Sequence, residues 1–283
     1  MSVAKPVIAL HAAYRDDIAD LVTRRPLPNR GLENVGAFLF LNHHGPQTYA
    51  SNNRGLPFGP HPHRGFETVS FILQGEMAHR DSAGHESIIE AGGVQWMTAG
   101  SGLVHAEISP DDFKRKGGPL EILQLWVNLP AHLKMTAPRY IGVQAAQIPA
   151  ITGDKTTLHL ISGDWQGQTG AIASLTGVFM STIDLKAGGR IIFDHLEGRD
   201  VFFYVVRGDV AVNGADANGF QLVELGDGGL VDIEAVTDAT IVFGHAAPIN
   251  EPIVAHGPFV MNTVQEIHQA YADYQAGKFG VPT

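Results

Sequence analysis

The chain of 283 residues contains no cysteine. It can therefore form no disulfide and offer no thiolate, so a bound metal would have to use histidine nitrogen and carboxylate oxygen. Basic charge is also scarce. Only 17% of the residues are charged and the net charge is −10, which argues against a protein that grips phosphate backbones. We expect no nucleic-acid partner.

Long apolar segments are missing as well. No run of about 18 or more apolar residues occurs, and the N-terminus lacks the charged-then-apolar pattern of a secretion signal. We therefore expect no membrane association and predict a cytoplasmic localisation. We also expect a monomer.

Glycine and proline, in contrast, are abundant, with 33 and 16 copies. Between these turn-forming residues lie segments rich in β-branched and aromatic side chains, at 35–42, 67–73 and 120–129. Strand-like segments that recur about every ten residues indicate an all-β sandwich or barrel. We expect Gly45-Pro46 to end the first of these strands. Residues 134–150 form the candidate linker between two domains.

Helical periodicity is clear only near the C-terminus, at 263–274. Thr263 is a suitable N-cap residue, and Glu266, three positions later, completes a capping box. The sequence therefore predicts one short C-terminal helix.

Two short motifs carry the chemistry: His-Pro-His at 61–63 and His-Ala-Glu at 105–107. Side chains two residues apart on an extended strand point to the same face, so each motif presents its two polar side chains together. Imidazole nitrogens combined with one carboxylate oxygen suit a divalent first-row metal. We predict that the metal site is formed by His61, His63, His105 and Glu107.

Glu67 is the alternative carboxylate, because it follows His63 by four residues. A turn at 64–66 intervenes, so strand alternation does not fix the direction of the Glu67 side chain. Glu107 stands two residues after His105 and shares its face if the strand is regular. We therefore favour Glu107 as the ligand and interpret Glu67 as a structural acid or as a group that orients a ligand imidazole.

Other residues near the motifs have ordinary interpretations. We expect Trp96 and Met97 to belong to the core. Arg64 is interpreted as an exposed arginine, and His79 as a strand histidine without a role in metal binding.

An internal repeat indicates a second barrel without a metal site. Residues 193–208 align without a gap on residues 60–75, and both segments end in an apolar strand followed by a glycine turn. The repeat replaces three of the four candidate ligands, by Asp194, Leu196 and Ala247. His245 alone matches, and we interpret it as structural. We predict two domains, 1–133 with the metal and 134–283 without it, the latter including the C-terminal helix.

These blocks resemble the pirins of the cupin superfamily. The segment HPHRGFETVSFILQGEMAHRDSAGHESIIEAGGVQWMTAGSGLVHAE is similar to the pirin signature region, and the tail HGPFVMNTVQEIHQAYADYQAGKFG is similar to the pirin C-terminus. The resemblance covers most of the chain and implies two tandem cupin β-barrels, a bicupin, with one iron in the N-terminal barrel. The pirin ligands fall on His61, His63, His105 and Glu107. The chain departs from pirins at Asn42-His43, where they usually read Asp-His-Phe or Asp-Phe.

The resemblance also implies a function, a quercetin 2,3-dioxygenase-type reaction of O₂ with a flavonol-like substrate at a mononuclear metal. Donor chemistry alone permits Fe, Mn, Ni, Co, Cu or Zn, and the resemblance favours Fe(2+). Glu107 is the candidate general base. The alternative that the resemblance implies is an iron-dependent redox sensor that acts through a protein partner without turnover. Oxygen uptake with a flavonol would distinguish the two functions.

Overall fold

The computed structural model describes residues 2–281, which form a protein built almost entirely of strands, as predicted. In chain order, the strands begin with β1 (Val7–Ala12), β2 (Tyr14–Arg15), β3 (Thr23–Leu27), β4 (Phe38–Tyr49), β5 (Phe58–His63), β6 (Phe66–Gln74), β7 (Glu76–Asp81), β8 (Glu86–Glu90), β9 (Val94–Thr98), β10 (Leu103–Ile108), β11 (Gly118–Asn128), β12 (Arg139–Val143) and β13 (Ala150–Gly153). They continue with β14 (Thr156–Ser162), β15 (Asp164–Trp165), β16 (Gln168–Thr169), β17 (Phe179–Leu185), β18 (Arg190–Phe193), β19 (Asp200–Arg207), β20 (Asp209–Val212), β21 (Ala215–Asn218), β22 (Gln221–Leu225), β23 (Val231–Ala235), β24 (Ala239–Ala246), β25 (Val254–His256) and β26 (Phe259–Met261).

Helices are few in the described part of the chain. The α-helices are α1 (Asp111–Lys116) and α2 (Val264–Gln275), and short 3-10 helices span Ala131–Leu133 and Ala145–Gln147. Among residues 2–281, neither α-helix combines the length and hydrophobicity that crossing a bilayer requires.

The chain divides into two compact units, and neither is a continuous stretch of sequence. Unit 1 comprises Met1–Tyr14, Arg25–Leu39 and Ala146–Pro248, and unit 2 comprises Arg15–Arg24, Phe40–Ala145 and Ile249–Thr283. This division differs from the predicted boundary after residue 133. The difference arises because strand β1 pairs antiparallel with β22, while helix α2 belongs to the unit that carries both metal motifs.

Unit 1 contains a seven-stranded sheet, β1-β22-β19-β24-β17-β14-β13, and a four-stranded sheet, β18-β23-β20-β21. Strand β19 runs through its core, and the residues of this strand from Val201 to Val206 are all buried. Alternate side chains of this strand, Phe203 and Val205 among them, join one hydrophobic cluster with Phe243 and Leu196. The near-continuous apolar run of β19 is typical of a strand that is covered on both faces.

Unit 2 carries both histidine motifs and likewise contains a four-stranded and a seven-stranded sheet. The four-stranded sheet has the order β5-β10-β7-β8. The seven-stranded sheet has the order β12-β9-β6-β11-β4-β3-β2, and the residues of β2, β3 and β4 are divided between the two units. The motif strands β5 and β10 are therefore neighbours.

Two local predictions in this region were wrong. Strand β4 continues to Tyr49, past Gly45-Pro46, because the Gly45 amide still donates a hydrogen bond, 2.7 Å to the Val22 carbonyl. The candidate linker 134–150 includes β12, which pairs with β9 in the barrel sheet. Cross-strand hydrogen bonds to distant segments thus overrode the local turn signals.

Helix α2 confirms the C-terminal prediction. Thr263 caps its first turn and Glu266 returns the hydrogen bond, so the capping box is complete. The apolar side of the helix, at Ile267 and Ala270, packs in a cluster with Val104 of β10. Helix α1, of six residues, was not predicted, because a single turn and a half shows too little periodicity.

Candidate metal centre

Strands β5 and β10 bring the two motifs together. His105 lies directly opposite His61 in the antiparallel register. The ring centroids of His61 and His105 are 4.4 Å apart, those of His61 and His63 are 4.8 Å apart, and those of His63 and His105 are 5.0 Å apart. One ring nitrogen from each residue lies within 4.8 Å of the others. The structure thus gathers the three predicted histidines into one cluster.

Backbone carbonyls fix the tautomers of two of these imidazoles. Nδ1 of His61 lies 2.7 Å from the Gly59 carbonyl, and Nδ1 of His63 lies 3.2 Å from the Pro258 carbonyl. A carbonyl can only accept, so each Nδ1 carries the proton and each Nε2 keeps its lone pair. A hydrogen bond from the other ring nitrogen to a carbonyl commonly orients a metal-binding histidine.

The buried lone pairs fit a cation. Nε2 of His63 and both ring nitrogens of His105 are buried without a hydrogen-bond partner. Buried polar atoms in folded proteins are nearly always paired, so three orphaned nitrogens at one place need an explanation. A divalent metal ion accounts for Nε2 of His63 and for one nitrogen of His105, since a neutral imidazole has a single nitrogen lone pair and its other nitrogen carries a proton.

The electrostatic environment keeps these rings neutral. Burial, followed by the neighbouring His61, lowers the pKa of His63 to about 3. Burial and the two other clustered imidazoles hold the pKa of His105 well below its usual value. Both rings are therefore uncharged at neutral pH, which is the form that binds a metal.

Glu107 shares the inner face of β10 with His105, because β10 keeps a regular register with β7 through both residues. Its carboxylate is not part of the histidine cluster found among residues 2–281. Ser70 Oγ donates to Oε1 at 3.0 Å and Gln95 Nε2 donates to the same oxygen at 2.6 Å, while Gln124 Nε2 donates to Oε2. Three strands, β6, β9 and β11, thus supply donors to one buried carboxylate.

Tyr140 of β12 fixes the direction of one of these donors. Its hydroxyl donates to Gln95 Oε1 at 3.1 Å, so the Gln95 amide must point its NH₂ group toward Glu107. The Tyr140 ring stacks on His79 with centroids 4.0 Å apart. His79 in turn hydrogen-bonds Asp81 at 3.0 Å, as suits a structural histidine. None of the donors to Glu107 stood out in the sequence, since single Ser and Gln residues carry no pattern.

Glu67 occupies the opposite face of β6. It pairs in register with Thr98, whereas Ser70 pairs with Gln95 on the face that reaches Glu107. Thr98 Oγ1 donates to Glu67 Oε1 at 2.7 Å, and burial raises the Glu67 pKa. Residues three apart on a strand face opposite ways, so Glu67 points away from the Glu107 donors. This geometry favours Glu107 over Glu67 as the candidate carboxylate ligand.

Arg64 directly follows the second histidine, and its predicted exposure was wrong. Only 4% of the residue is exposed. Its Nε donates to the Ser101 carbonyl at 2.8 Å, and its Nη1 donates at 2.9 Å to Asp273, which lies 209 residues later on α2. The guanidinium also lies over the Phe279 ring, 4.6 Å from its centroid. The partners come from the C-terminal segment, so local sequence gave no sign of them.

Aromatic rings pack beside His63. The centroid of the Phe66 ring lies 5.0 Å from that of His63, and the centroid of Trp126 lies 5.4 Å from it. Trp126 also contacts Phe66 at 4.4 Å and Phe40 at 4.7 Å. The inner face of the barrel thus offers flat apolar surface next to the histidine cluster.

The sequence matches the profiles of known protein families, and the structure matches solved structures. A Pirin family profile matches residues 20–127, and a profile of the Pirin C-terminal cupin domain matches residues 180–280. The chain belongs to the pirin family. The two matched regions, together with the strand-rich architecture, confirm the prediction of a bicupin with a short C-terminal helix.

Individual pirin relatives agree with this assignment. A Pseudomonas aeruginosa protein that carries quercetin 2,3-dioxygenase as a provisional name is 38% identical over 252 residues, 87% of each chain. Human pirin is 36% identical over 266 residues, 91% of this chain and 87% of its own. A crystal structure of quercetin 2,3-dioxygenase from Acinetobacter baumannii matches with a TM-score of 0.92 at 33% identity, covering 98% of this chain and 99% of that one.

Of the four positions in unit 1 that align with the candidate ligands, a single one, His245, is a histidine, and its ring already has a hydrogen-bond partner. Nδ1 of His245 accepts a hydrogen bond from Arg199 Nε at 2.5 Å, and the ring stacks on Phe179 with centroids 4.8 Å apart. Burial, and then the Arg199 charge, lowers the His245 pKa to about 3. Leu196, which aligns with His63, lies in the hydrophobic core. His245 is therefore a packed structural residue.

We expect one metal ion per chain. The variant His245→Ala should retain the wild-type metal content, because nothing at the matching positions completes a donor set with this imidazole. Elemental analysis of protein purified from its own host checks both statements. A ratio near two ions per chain, or loss of the metal from His245→Ala, would show that unit 1 also contributes a site.

Proposed function

We propose that the chain is a mononuclear metal-dependent dioxygenase of the quercetin 2,3-dioxygenase type, acting on flavonol-like substrates. The observation that carries this proposal is the cluster of His61, His63 and His105, with orphaned nitrogens on two of them. A four-coordinate structural zinc site is closed, whereas three imidazoles and one carboxylate leave open positions on a six-coordinate ion. The relatives named as quercetin 2,3-dioxygenases support the same reaction.

In this proposal the metal ligands are His61, His63, His105 and Glu107, and the resident ion is Fe(2+). Nickel, manganese, cobalt, copper and zinc suit the same donors. When bound, the ion would acidify a substrate hydroxyl and provide the redox chemistry toward O₂.

Glu107 has a further role in the proposed reaction, as the base that takes the hydroxyl proton of the substrate. Its Oε1 already accepts hydrogen bonds from Ser70 and Gln95, whereas Oε2 accepts only that of Gln124. Since Oε2 has more lone-pair capacity left, we assign that atom to the metal and, when Glu107 detaches from the ion, to the proton. The donors would keep the carboxylate in place while the proton moves.

Phe40 and Trp126, both partly exposed, would hold a flat substrate beside His63, and the fully buried Phe66 would support the Trp126 ring. Aromatic rings stack in offset or tilted arrangements, which suits a flavonol or another planar enolisable hydroxyketone. In the proposed reaction one O₂ is consumed, both ring bonds of C3 (C2–C3 and C3–C4) are cleaved, C3 leaves as carbon monoxide, and the two oxygen atoms are incorporated into the remaining ester-linked carboxylic acid.

Oxygen uptake tests the proposal. Metal-free protein is reloaded separately with Fe(II), Ni(II), Mn(II), Co(II), Cu(II) or Zn(II) and mixed with a series of flavonols, while O₂ consumption and carbon monoxide release are recorded together. We expect equal amounts of the two gases and no turnover by the metal-free protein. His245→Ala serves as the matched histidine control and should react like the wild type. Uptake no greater than that of metal-free protein, for every pair of metal and substrate, would contradict the proposal and favour the redox-sensing alternative.

A further inference from the structure

The chain turns immediately after His63, and a hairpin from the C-terminal segment packs against that turn. Gly65 has a φ of +88°, and a Cβ added to it would lie 2.0 Å from the Val260 carbonyl oxygen. Only glycine fits this backbone conformation and this close approach. Strand β26 of the hairpin therefore lies in direct contact with the backbone next to the histidine cluster.

Two hydrogen bonds connect the hairpin to this turn. The Pro258 carbonyl, between β25 and β26, accepts from His63 Nδ1 at 3.2 Å. The Val260 amide donates to the Arg64 carbonyl at 3.0 Å. The position of the hairpin thus sets the partner that orients the His63 ring.

Lys134 lies behind this contact, and only 1% of the residue is exposed. Its ammonium donates to the Gly65 carbonyl at 2.9 Å, to the Val260 carbonyl at 3.0 Å and to Asn128 Oδ1 at 2.7 Å. An ammonium has three N–H bonds, so all of them are used. Burying a cation is costly unless its hydrogen bonds are satisfied, and this network meets that condition without a carboxylate.

The two carbonyls that Lys134 joins belong to the two sides of the same contact. Gly65 is two residues after His63, and Val260 is two residues after Pro258. A single buried side chain thus ties the histidine turn to the hairpin whose carbonyl holds the histidine.

We propose that Lys134 is a positioning residue of the metal centre, which holds the Pro258 carbonyl in place on His63 and so fixes the direction of His63 Nε2. The inference rests on the metal site of the proposed function but not on any reaction at that site. It assigns a role to a residue that the sequence placed at the start of a linker.

The variant Lys134→Met keeps the length and removes the three donors. Nickel(II) affinity is measured by competition with a chelator, and the imidazole coordination of the copper(II)-loaded protein is followed by electron paramagnetic resonance. We expect the nickel(II) affinity to fall by about tenfold or more, in the range seen when partners of ligand side chains are lost. We also expect the copper(II) spectrum to change its nitrogen hyperfine pattern.

Two further variants separate positioning from folding. Lys278→Met removes an exposed lysine of the same C-terminal segment, paired with Asp273 at 2.7 Å, and should leave affinity and spectrum unchanged. Asn128→Ala removes one of the three acceptors, should perturb the fold less than Lys134→Met, and should lower the affinity by a smaller factor.

The absence of cysteine allows a chemical rescue. In Lys134→Cys, alkylation of the unfolded chain with 2-bromoethylamine creates a thioether analogue of lysine at this position alone. After refolding beside an identically treated wild type, the analogue should recover the nickel(II) affinity and the copper(II) spectrum, whereas alkylation with iodoacetamide should not.

The outcomes distinguish this inference from the proposed function. If the wild type binds nickel(II) and Lys134→Met lowers only the melting temperature, with affinity and spectrum unchanged, Lys134 is a purely structural residue and the inference is wrong. If the wild type itself binds neither ion, the metal site and the inference fail together. Loss of dioxygenase activity plays no part in this test.

Discussion

His63→Ala is expected to abolish oxygen uptake and to lower metal affinity by more than about 100-fold, since loss of even an outer partner of a ligand costs 10–100-fold. The His63 ring is buried, is neutral and presents an unpartnered Nε2 to the cluster. Its removal leaves two imidazoles and the Glu107 carboxylate, one ligand fewer than the proposed site provides. Chelator competition gives the affinity, and an oxygen electrode gives the uptake.

The control for this variant is His132→Ala, which removes an exposed histidine of the 3-10 helix Ala131–Leu133. It should match the wild type in both measurements. Adding back Fe(II), or another divalent ion that supports activity, should restore metal-free wild type but not His63→Ala. Full uptake by His63→Ala at the wild-type metal content would exclude this imidazole from the site.

Glu107→Ala is expected to lower metal affinity by about tenfold or more, whereas Glu67→Ala should leave the metal bound. Glu107 lies on the inner face of β10 with His105, and Glu67 lies on the face of β6 that points away from the Glu107 donors. The second variant still leaves Thr98 without its acceptor, at a cost of about 1–3 kcal/mol of folding stability. Metal competition and thermal unfolding of both variants separate these effects.

Glu107→Gln refines this comparison, because it keeps the volume of the side chain and removes the charge. It should lose affinity like Glu107→Ala while folding better, since the amide oxygen can still accept from Ser70 or Gln95. Greater metal loss from Glu67→Ala than from either Glu107 variant would show that strand alternation selected the wrong acid.

The parts of the fold that were predicted correctly depend on neighbouring residues. The capping box of α2 joins Thr263 and Glu266, three positions apart, and the strand-like segment 120–129 falls almost entirely within β11. Such features follow from backbone geometry within one element, so the sequence states them directly.

The parts that were predicted incorrectly depend on partners from distant segments. Arg64, predicted to be exposed, is buried because Asp273 of α2 accepts a hydrogen bond from its guanidinium. Lys134, at the start of the predicted linker, is buried because the Gly65 and Val260 carbonyls accept hydrogen bonds from its ammonium. An arginine or a lysine is exposed in most positions, so the expectation fails wherever distant groups satisfy the charge. The assignment of 134–150 to a linker failed for the same reason.

The sequence by itself determined the donor chemistry and the direction of the donors along each strand. Without cysteine the available donors were nitrogen and oxygen, and strand alternation placed His61 with His63 and His105 with Glu107. The tertiary structure alone decided that His61 lies opposite His105, that Ser70, Gln95 and Gln124 surround Glu107, and that a C-terminal carbonyl orients His63. Alternation is fixed by the geometry of one strand, whereas register and contacts between strands arise only when segments far apart in the chain pack together.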